Sequence, residues 1–458
     1  MILIIPPSPF LLDEKVFMSL GVLKVASVLE KKMPVKVLDL SGVKNYLEVI
    51  RNEKETQKAE VLGITATTPQ MPAAFKIRQA LGGRVILGGP HVTLVNAAYK
   101  KNPLGRARTA FEQLDGFDVL VAGDGEEAVS EALKEDSPHL VDGDDPKTRL
   151  FLDNQRLNEL PYPARHLMDV SSYHYSIDGE RALSLIAQLG CPFECGFCGG
   201  RLSPMLRRVR TRTSENVVNE MTKIYEDYGI KGFMMYDDEL NVNPRMNELM
   251  ELISKKSVNW KLRGFIKSQL FTEEQAARMV KAGFKWILVG FESGSPKILK
   301  NIKKRATREE NSRCLQIAHK YGLKVKALMS LGHPGESLQT VLETKEWLLK
   351  ERPDDFDITI ITTYPGTPYY DQAVKQGNYW EFTANGDKLY SEEVDYTTTS
   401  DYYKGIPGEY KAYVFTDHLT SQELVKLRDL TEDEVRSTLG LPYPSKGYDH
   451  SMGQAAAV

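Results

Sequence analysis

The sequence predicts an α/β protein made of two strand–helix series in tandem: a doubly wound parallel sheet, then a partial (β/α)6 barrel, then a small irregular C-terminal region. Short β-branched runs alternate with helical patterns over residues 1–140 and again over residues 176–375. Such alternation builds parallel sheets covered by helices. Between the series, residues 141–175 lose this periodicity and carry Leu160-Pro161-Tyr162-Pro163, whose prolines favour a stiff, extended linker.

In the first series, Met1 to Ile5, Val35 to Leu40, Val61 to Thr65, Arg84 to Leu87 and Asp118 to Ala122 read as buried strands. Helices are expected at Leu20 to Glu30 and Met71 to Leu81. The strand ends lead into Pro6-Pro7-Ser8-Pro9, Thr65-Ala66-Thr67-Thr68, Gly88-Gly89-Pro90-His91 and Gly123-Asp124-Gly125-Glu126. Ligands of open α/β sheets bind beyond these carboxyl edges, where glycine admits a bulky group to the backbone. Taken alone, the same glycines serve equally well as turn chemistry.

In the second series, strands are expected at Ala182 to Leu189, Gly232 to Tyr236, Lys261 to Ile266, Trp286 to Phe291, Lys324 to Leu331 and Phe356 to Thr363. Thr272 with Gln275, and Thr307 with Glu310, fit the capping-box pattern at helix starts. Six strand–helix units suit a curved, partly open barrel with functional groups at the strands' carboxyl ends. Residues 376–458 read as an irregular, tyrosine-rich extension with one helix at Ser421 to Leu430, and a tail from about Tyr448 is expected to be disordered.

Bulk properties narrow the function. The chain has 458 residues, 41% apolar and 26% charged, which is ordinary globular usage. Its formal charge of −3 marks no nucleic-acid partner. The basic run Lys297 to Arg305 reads as a solvated helix end. No apolar stretch is long enough to span a bilayer and no charged leader precedes the first apolar run, so a cytoplasmic protein is expected.

Three of the four cysteines lie within eight residues, in Gly190-Cys-Pro-Phe-Glu-Cys-Gly-Phe-Cys-Gly-Gly. Clustered cysteines in a reducing compartment point to metal. Pro192 and the surrounding glycines oppose a helix, which leaves a loop able to wrap a metal centre. Soft thiolates suit zinc or iron–sulfur groups, which ordinarily take four protein ligands. The remaining thiol, Cys314, falls in an expected helix far along the chain. Cys191, Cys195 and Cys198 therefore read as three ligands of a centre that keeps one position open.

At these residues the chain resembles the radical S-adenosylmethionine (SAM) superfamily. The likeness extends, in order, through Tyr236-Asp237-Asp238-Glu239, Gly290-Phe291-Glu292-Ser293-Gly294, Leu331-Gly332-His333-Pro334-Gly335-Glu336 and Tyr364-Pro365-Gly366-Thr367-Pro368. The resemblance implies an oxygen-sensitive [4Fe-4S] cluster on the three cysteines, which reduces SAM to start radical chemistry. It places Phe197, Asp237, Asp238 and Glu292 at SAM, with Glu292 on the ribose, and it requires an external electron donor of flavodoxin or ferredoxin type.

The front series resembles the Rossmann- or flavodoxin-like cobalamin-binding domain that precedes many such barrels. That likeness assigns Pro9, Thr65, Thr67, Gly88, Gly89, His91, Gly123, Gly125 and Glu126 to cobalamin. The Asp-x-His-x-x-Gly cobalt-ligating motif is absent. No histidine is therefore expected on cobalt, and Thr67 to Gln70 or water should cover its lower face. The front half has no cysteine before Cys191 and none follows Cys314, so a second cluster is excluded. The resemblance implies a cobalamin-dependent methyltransferase acting on an unactivated carbon or on phosphorus of a small-molecule, lipid or natural-product substrate. The alternative is a radical SAM cyclase or rearrangement enzyme, with or without cobalamin. It names no protein group as the catalytic residue.

Overall fold

A computed structural model describes residues 1–402 and 411–443; the expected disordered tail lies outside them. Six strands form the front sheet: β1 (Ile2–Ile5), β2 (Lys36–Asp39), β3 (Val61–Thr65), β4 (Arg84–Gly88), β5 (Val119–Gly123) and β6 (Leu140–Gly143). Their order is β2-β1-β3-β4-β5-β6, every pair parallel. Fully buried runs such as Ile2–Ile5 need apolar residues on both faces because helices cover both. The sequence reading stopped at five strands. The sixth is short, alternates buried and half-buried residues, and runs across residue 140. Helices Tyr46–Thr56, Pro90–Lys101, Gly105–Glu112 and Gly125–Ala132 were also not anticipated.

The strand order reverses between β1 and β3, which opens a crevice at their carboxyl ends. The segment after β1, residues 6–19, is long and crosses that crevice. Phe17 carries its ring to 4.7 Å from Tyr175 and 5.3 Å from Tyr236, both from the second half of the molecule. His174 and Asp13 meet at 2.6 Å alongside.

The second sheet comprises β7 (Ser176–Ile177), β8 (Glu180–Leu185), β11 (Gly232–Met235), β12 (Lys261–Phe265), β13 (Phe284–Glu292), β14 (Lys324–Leu331) and β15 (Asp355–Ile360), in the order β15-β14-β13-β12-β11-β8-β7. All pairs are parallel except the β7–β8 hairpin. The run expected as one strand from Ala182 to Leu189 breaks at Ile186. There the Asp237 carboxylate captures the Ala187 and Gln188 amides. Beyond the break a two-residue strand, β9 (Gln188–Leu189), pairs antiparallel with β10 (Arg210–Thr211). Both expected capping boxes form, at Thr272/Gln275 and Thr307/Glu310.

The two halves are joined by buried charge. Arg165, at the end of the proline-rich stretch, donates to Glu220 at 2.6 Å and to the Ser184 carbonyl at 2.9 Å, and Arg212 reaches the other Glu220 oxygen at 2.5 Å. Arg210 pairs with Asp124 at 2.5 Å, and both are buried.

Among its described residues the C-terminal region is not irregular. It holds an antiparallel sheet of β16 (Val374–Gln376), β17 (Tyr379–Ala384), β18 (Asp387–Ser391) and β19 (Val414–Thr416), then a 19-residue helix, Ser421–Leu439. The β17–β18 hairpin closes on Asn385-Gly386, both with positive φ, as a tight two-residue turn requires. The helix docks on β15 through Arg436, fully buried and 3.1 Å from both Asp355 and Glu432.

Candidate active site

Three thiols stand on an irregular loop directly after β9, and no helix forms there. The loop leaves β9 at Gly190, φ +87°, where a Cβ would lie 2.1 Å from the Arg208 carbonyl oxygen. Backbone bonds fix it: Cys191 N to Leu206 O at 3.0 Å, Cys198 N to Cys195 O at 3.3 Å and Gly196 N to Ile302 O at 2.9 Å. Cys191, Cys195 and Cys198 are free thiols. Burial pushes Cys191 up to about 11. Such thiols stay protonated unless a bound cation inverts the balance. Among the described residues no three His, Cys, Asp or Glu converge as a single-ion site requires. Three soft ligands on one loop fit a multi-iron group with one iron left open. Cys314 is fully buried in helix Arg308–Lys320.

Beyond the thiols, the strand ends supply charge. Glu292 closes β13 in a left-handed conformation, φ +65°, beside a register shift against β14. A non-glycine residue held there costs about 1–3 kcal/mol, which the surroundings must offset. Glu292 lies 3.0 Å from Lys304 Nζ and accepts from Ser330 Oγ at 2.8 Å. Burial works against its charge, but Lys304 and the Ser330 hydroxyl together hold the carboxylate below its ordinary range. His333, from the fifth-strand motif, contacts Ser330 Oγ at 2.8 Å, and burial lowers it to about 4, so it is neutral. Phe197 packs against the His333 ring at 5.2 Å.

The Tyr236-Asp237-Asp238-Glu239 segment divides its work. Asp237 spends one oxygen on the Ala187 and Gln188 amides, and Asp238 accepts from Gly190 N at 2.7 Å, so both shape the cysteine loop. Asp237 Oδ2 and Glu239 Oε2 are buried with no hydrogen-bond partner. Orphaned carboxylate oxygens at a barrel mouth fit an ammonium-bearing ligand. Glu239, Lys304, Ser330, His333 and the buried Lys267, which donates to the Lys304 carbonyl at 3.0 Å, escaped the sequence reading as site residues. The motif segments held Glu239 and His333, whereas nothing local marks Lys267 or Lys304.

A cavity of about 540 Å³ lies between the carboxyl ends of the front strands and the ends of β8 and β11. Thr65, Thr67, Gly88, Gly89, Gly123, Gly125 and Glu126 line it from the front domain. Ile186 to Leu189, Arg210, Arg212 and Tyr236 line it from the barrel side. At Gly123, φ +77°, a Cβ would sit 2.2 Å from Asp144 N; at Gly89, φ +101°, it would sit 2.7 Å from Thr65 Oγ1. Only glycine fits these turns, which hold the cavity floor open. The mostly apolar, pre-formed lining fits a large cofactor at the switch point. Two assigned residues are not among those lining it. Pro9 is exposed while Ser8 and Phe10 line the wall, and His91 is buried with Nδ1 3.0 Å from Thr68 Oγ1. Gln70, from the Thr67 to Gln70 turn, lines the cavity and donates to Pro6 O and Ser8 Oγ at 3.2 and 3.0 Å.

A three-cysteine loop thus stands at the mouth of a partial parallel barrel, behind a doubly wound domain. Residues 185–348 match the radical SAM superfamily model, and the chain carries that domain. Over 81% of its length it is 26% identical to an uncharacterised methyltransferase of Pyrococcus horikoshii, covering 83% of that protein. It is 22% identical to the anaerobic magnesium-protoporphyrin IX monomethyl ester cyclase of Cereibacter sphaeroides over 73% of this chain and 57% of the relative. Its fold is that of the radical SAM methyltransferase TsrM of Kitasatospora setae, solved with cobalamin and a [4Fe-4S] cluster. That match has a TM-score of 0.61 and 18% identity, and it covers 84% of this chain and 81% of TsrM. No helix among the described residues is long and apolar enough to cross a membrane.

Proposed function

We propose that the chain is a cobalamin-dependent radical SAM methyltransferase that alkylates an unactivated carbon, or phosphorus, of a small molecule in the cytoplasm, with electrons from a flavodoxin- or ferredoxin-type donor. The observation that carries this is a cavity lined on one side by the carboxyl ends of the front strands and on the other by Ile186 to Leu189 and Tyr236, at the ends of β8 and β11, because methyl transfer requires two cofactors to reach one substrate. The names of relatives support it: the Pyrococcus relative is named an uncharacterised methyltransferase, and the Kitasatospora protein of this fold a radical SAM methyltransferase. When bound, the cluster supplies the electron that opens SAM, and the corrin supplies the methyl carrier.

The chain's own residues bind, orient and exclude water. Cys191, Cys195 and Cys198 would hold the cluster, with Phe197 and the buried Tyr369, whose ring stands against Gly196, packed about their loop. Asp237 and Glu239 offer carboxylate oxygens to the SAM ammonium, Asp238 fixes the loop beside it, and Glu292 accepts from ribose hydroxyls. Neutral His333 orients Ser330 without placing a second cation beside Lys304. Thr65, Thr67, Gly88, Gly89, Gly123, Gly125 and Glu126 would receive cobalamin. His91, bonded to Thr68, is a packing residue rather than a ligand. Phe17, against Tyr175 and Tyr236, closes the space below the cavity to water.

The test is anaerobic reconstitution with iron, sulfide, SAM and hydroxocobalamin. The corrin is expected to stay with the protein through gel filtration, and products from candidate extracts are expected to gain a methyl mass. Retention of the corrin with products of unchanged mass would replace methylation by rearrangement. A protein that never retains cobalamin would refute the proposal.

A further inference from the structure

We infer that the outward face of residues 297–305, with the arginines flanking the cysteine loop, is the docking surface for a small acidic electron-carrier protein. The inference rests on the reading above, in which the three thiols hold the group to be reduced.

The basic run is built into the site. Helix Pro296–Asn301 buries Ile298 and Leu299, and with Ile302 they pack on Phe197 of the cysteine loop. The chain then passes through Lys303 and Arg305, both left-handed at φ +56°. Two non-glycine residues in that conformation are costly and need a purpose. They turn Lys304 inward to Glu292 while Lys303 and Arg305 face solvent. Lys297 and Lys300 are exposed on the same short segment.

This segment is bolted to the thiol loop. Gly196 N donates to Ile302 O at 2.9 Å, and Arg305 reaches Glu194 at 3.1 Å. On the loop's other flank, Arg201 and Arg207 both donate to the Phe193 carbonyl, and Arg208 beside them is exposed. Local acids are already committed: Glu194 lies between Arg305 and Arg201, Asp387 holds Lys297 at 2.8 Å, and Glu310 closes the cap on Thr307. Glu309 alone stands uncommitted in this stretch. A chain of net charge −3 thus concentrates free positive charge where Cys198 and Pro192 surface.

Charge so placed steers an acidic partner to the point of shortest approach to the thiols, raising the encounter rate and making it salt-sensitive. The transfer balances without a proton: one electron leaves an anionic flavin hydroquinone, which becomes the neutral semiquinone, and enters the group on the thiols. A nucleic acid is the other polyanion such a face attracts, but no aromatic side chain is exposed among residues 297–305 to stack a base.

The experiment is anaerobic stopped-flow reduction of the reconstituted protein by reduced flavodoxin, and in parallel by photoreduced deazaflavin, a small neutral reductant. Lys300→Glu/Lys303→Glu should slow reduction by flavodoxin about tenfold at low salt and flatten its dependence on ionic strength. The deazaflavin rate and the iron content should not change. Arg305→Gln, tested separately, should show a smaller loss in the same direction. Binding of oxidised flavodoxin to the cluster-free protein gives a readout independent of the cluster, and it should weaken in the same variants. Flavodoxin rates unchanged in the charge-reversed protein would overturn the docking surface alone, as would charge-dependent binding of a single-stranded RNA without any effect on flavodoxin. Failure of both reductants to generate a reduced cluster would overturn the functional reading and the surface with it.

Discussion

Replacing Arg210 with methionine tests how the two halves are held in register. Arg210 is 3% exposed and donates to Asp124 Oδ2 at 2.5 Å, to Leu152 O at 2.7 Å and to Met205 O at 3.2 Å, over the Phe151 ring at 4.6 Å. Asp124 belongs to the front-domain turn and Arg210 to β10 beside the thiol loop, so the pair ties one cavity wall to the other. Loss of a charge-assisted bond costs about 1.5–3 kcal/mol, and stranding the buried partner brings the total for a broken buried pair to about 3–5 kcal/mol. Burial already pushes Asp124 up to about 6 despite Arg210. Without the guanidinium, the carboxyl binds a proton more tightly in the folded than in the unfolded chain, so the penalty is full near pH 8 and shrinks toward pH 5. Urea unfolding of the cofactor-free protein, followed by circular dichroism, measures this. Asp124→Asn with Arg210→Met should recover most of the loss. A single-variant cost below about 1 kcal/mol, or a double variant equal to the sum of the singles, would refute the argument.

Cys314→Ala is expected to retain all its iron after reconstitution, because Cys314 is buried in a helix core; loss of most iron would make it a ligand. Glu292→Gln should weaken SAM binding about tenfold with the iron intact, read by titrating SAM against the cluster spectrum. Unchanged affinity would reassign Glu292 to structure. Burial lowers His91 to about 4 from 6.5, so its contribution to stability is complete above pH 6.5 and is lost as pH falls toward 4. That loss is about 3 kcal/mol for the one group. His91→Gln, which keeps a hydrogen-bonding group near Thr68, should unfold in acid with a visibly shallower slope, and an unaltered slope would show that His91 does not titrate this way.

The buried strands of both series are legible because a parallel strand covered on both faces must be a continuous apolar run. The thiol loop is legible because proline and glycine forbid a helix across ligand-spaced cysteines. Lys304 is not legible: it is twelve residues from Glu292 and reaches it only through two left-handed residues that are not glycine. Nothing local in Lys303-Lys304-Arg305 distinguishes the inward lysine from its outward neighbours. The C-terminal hairpin was legible in part. Asn385-Gly386 between alternating residues is a strong turn signal, but the acidic, tyrosine-rich surroundings conceal it. His91 misleads because a histidine after a glycine turn suggests a ligand. One residue into helix Pro90–Lys101, however, its side chain turns to Thr68 rather than to the cavity.

The segment after β1 explains why the front domain and the barrel meet at one cavity instead of merely adjoining. Val16 and Phe17 pack with Tyr175 and with Ala182, Met234, Trp286 and Leu288, side chains that project from the barrel strands onto one face. A half-barrel cannot fill its own interior, since the missing strands would have supplied those layers. Here the front domain fills it. The same segment lines the cavity from Ser8 to Ser19, Val16 and Phe17 included. Whatever occupies the cavity therefore rests on a stretch of chain that is itself packed against the barrel strands, so the position of the cavity relative to the barrel is set by packing within one loop rather than by the proline-rich linker alone.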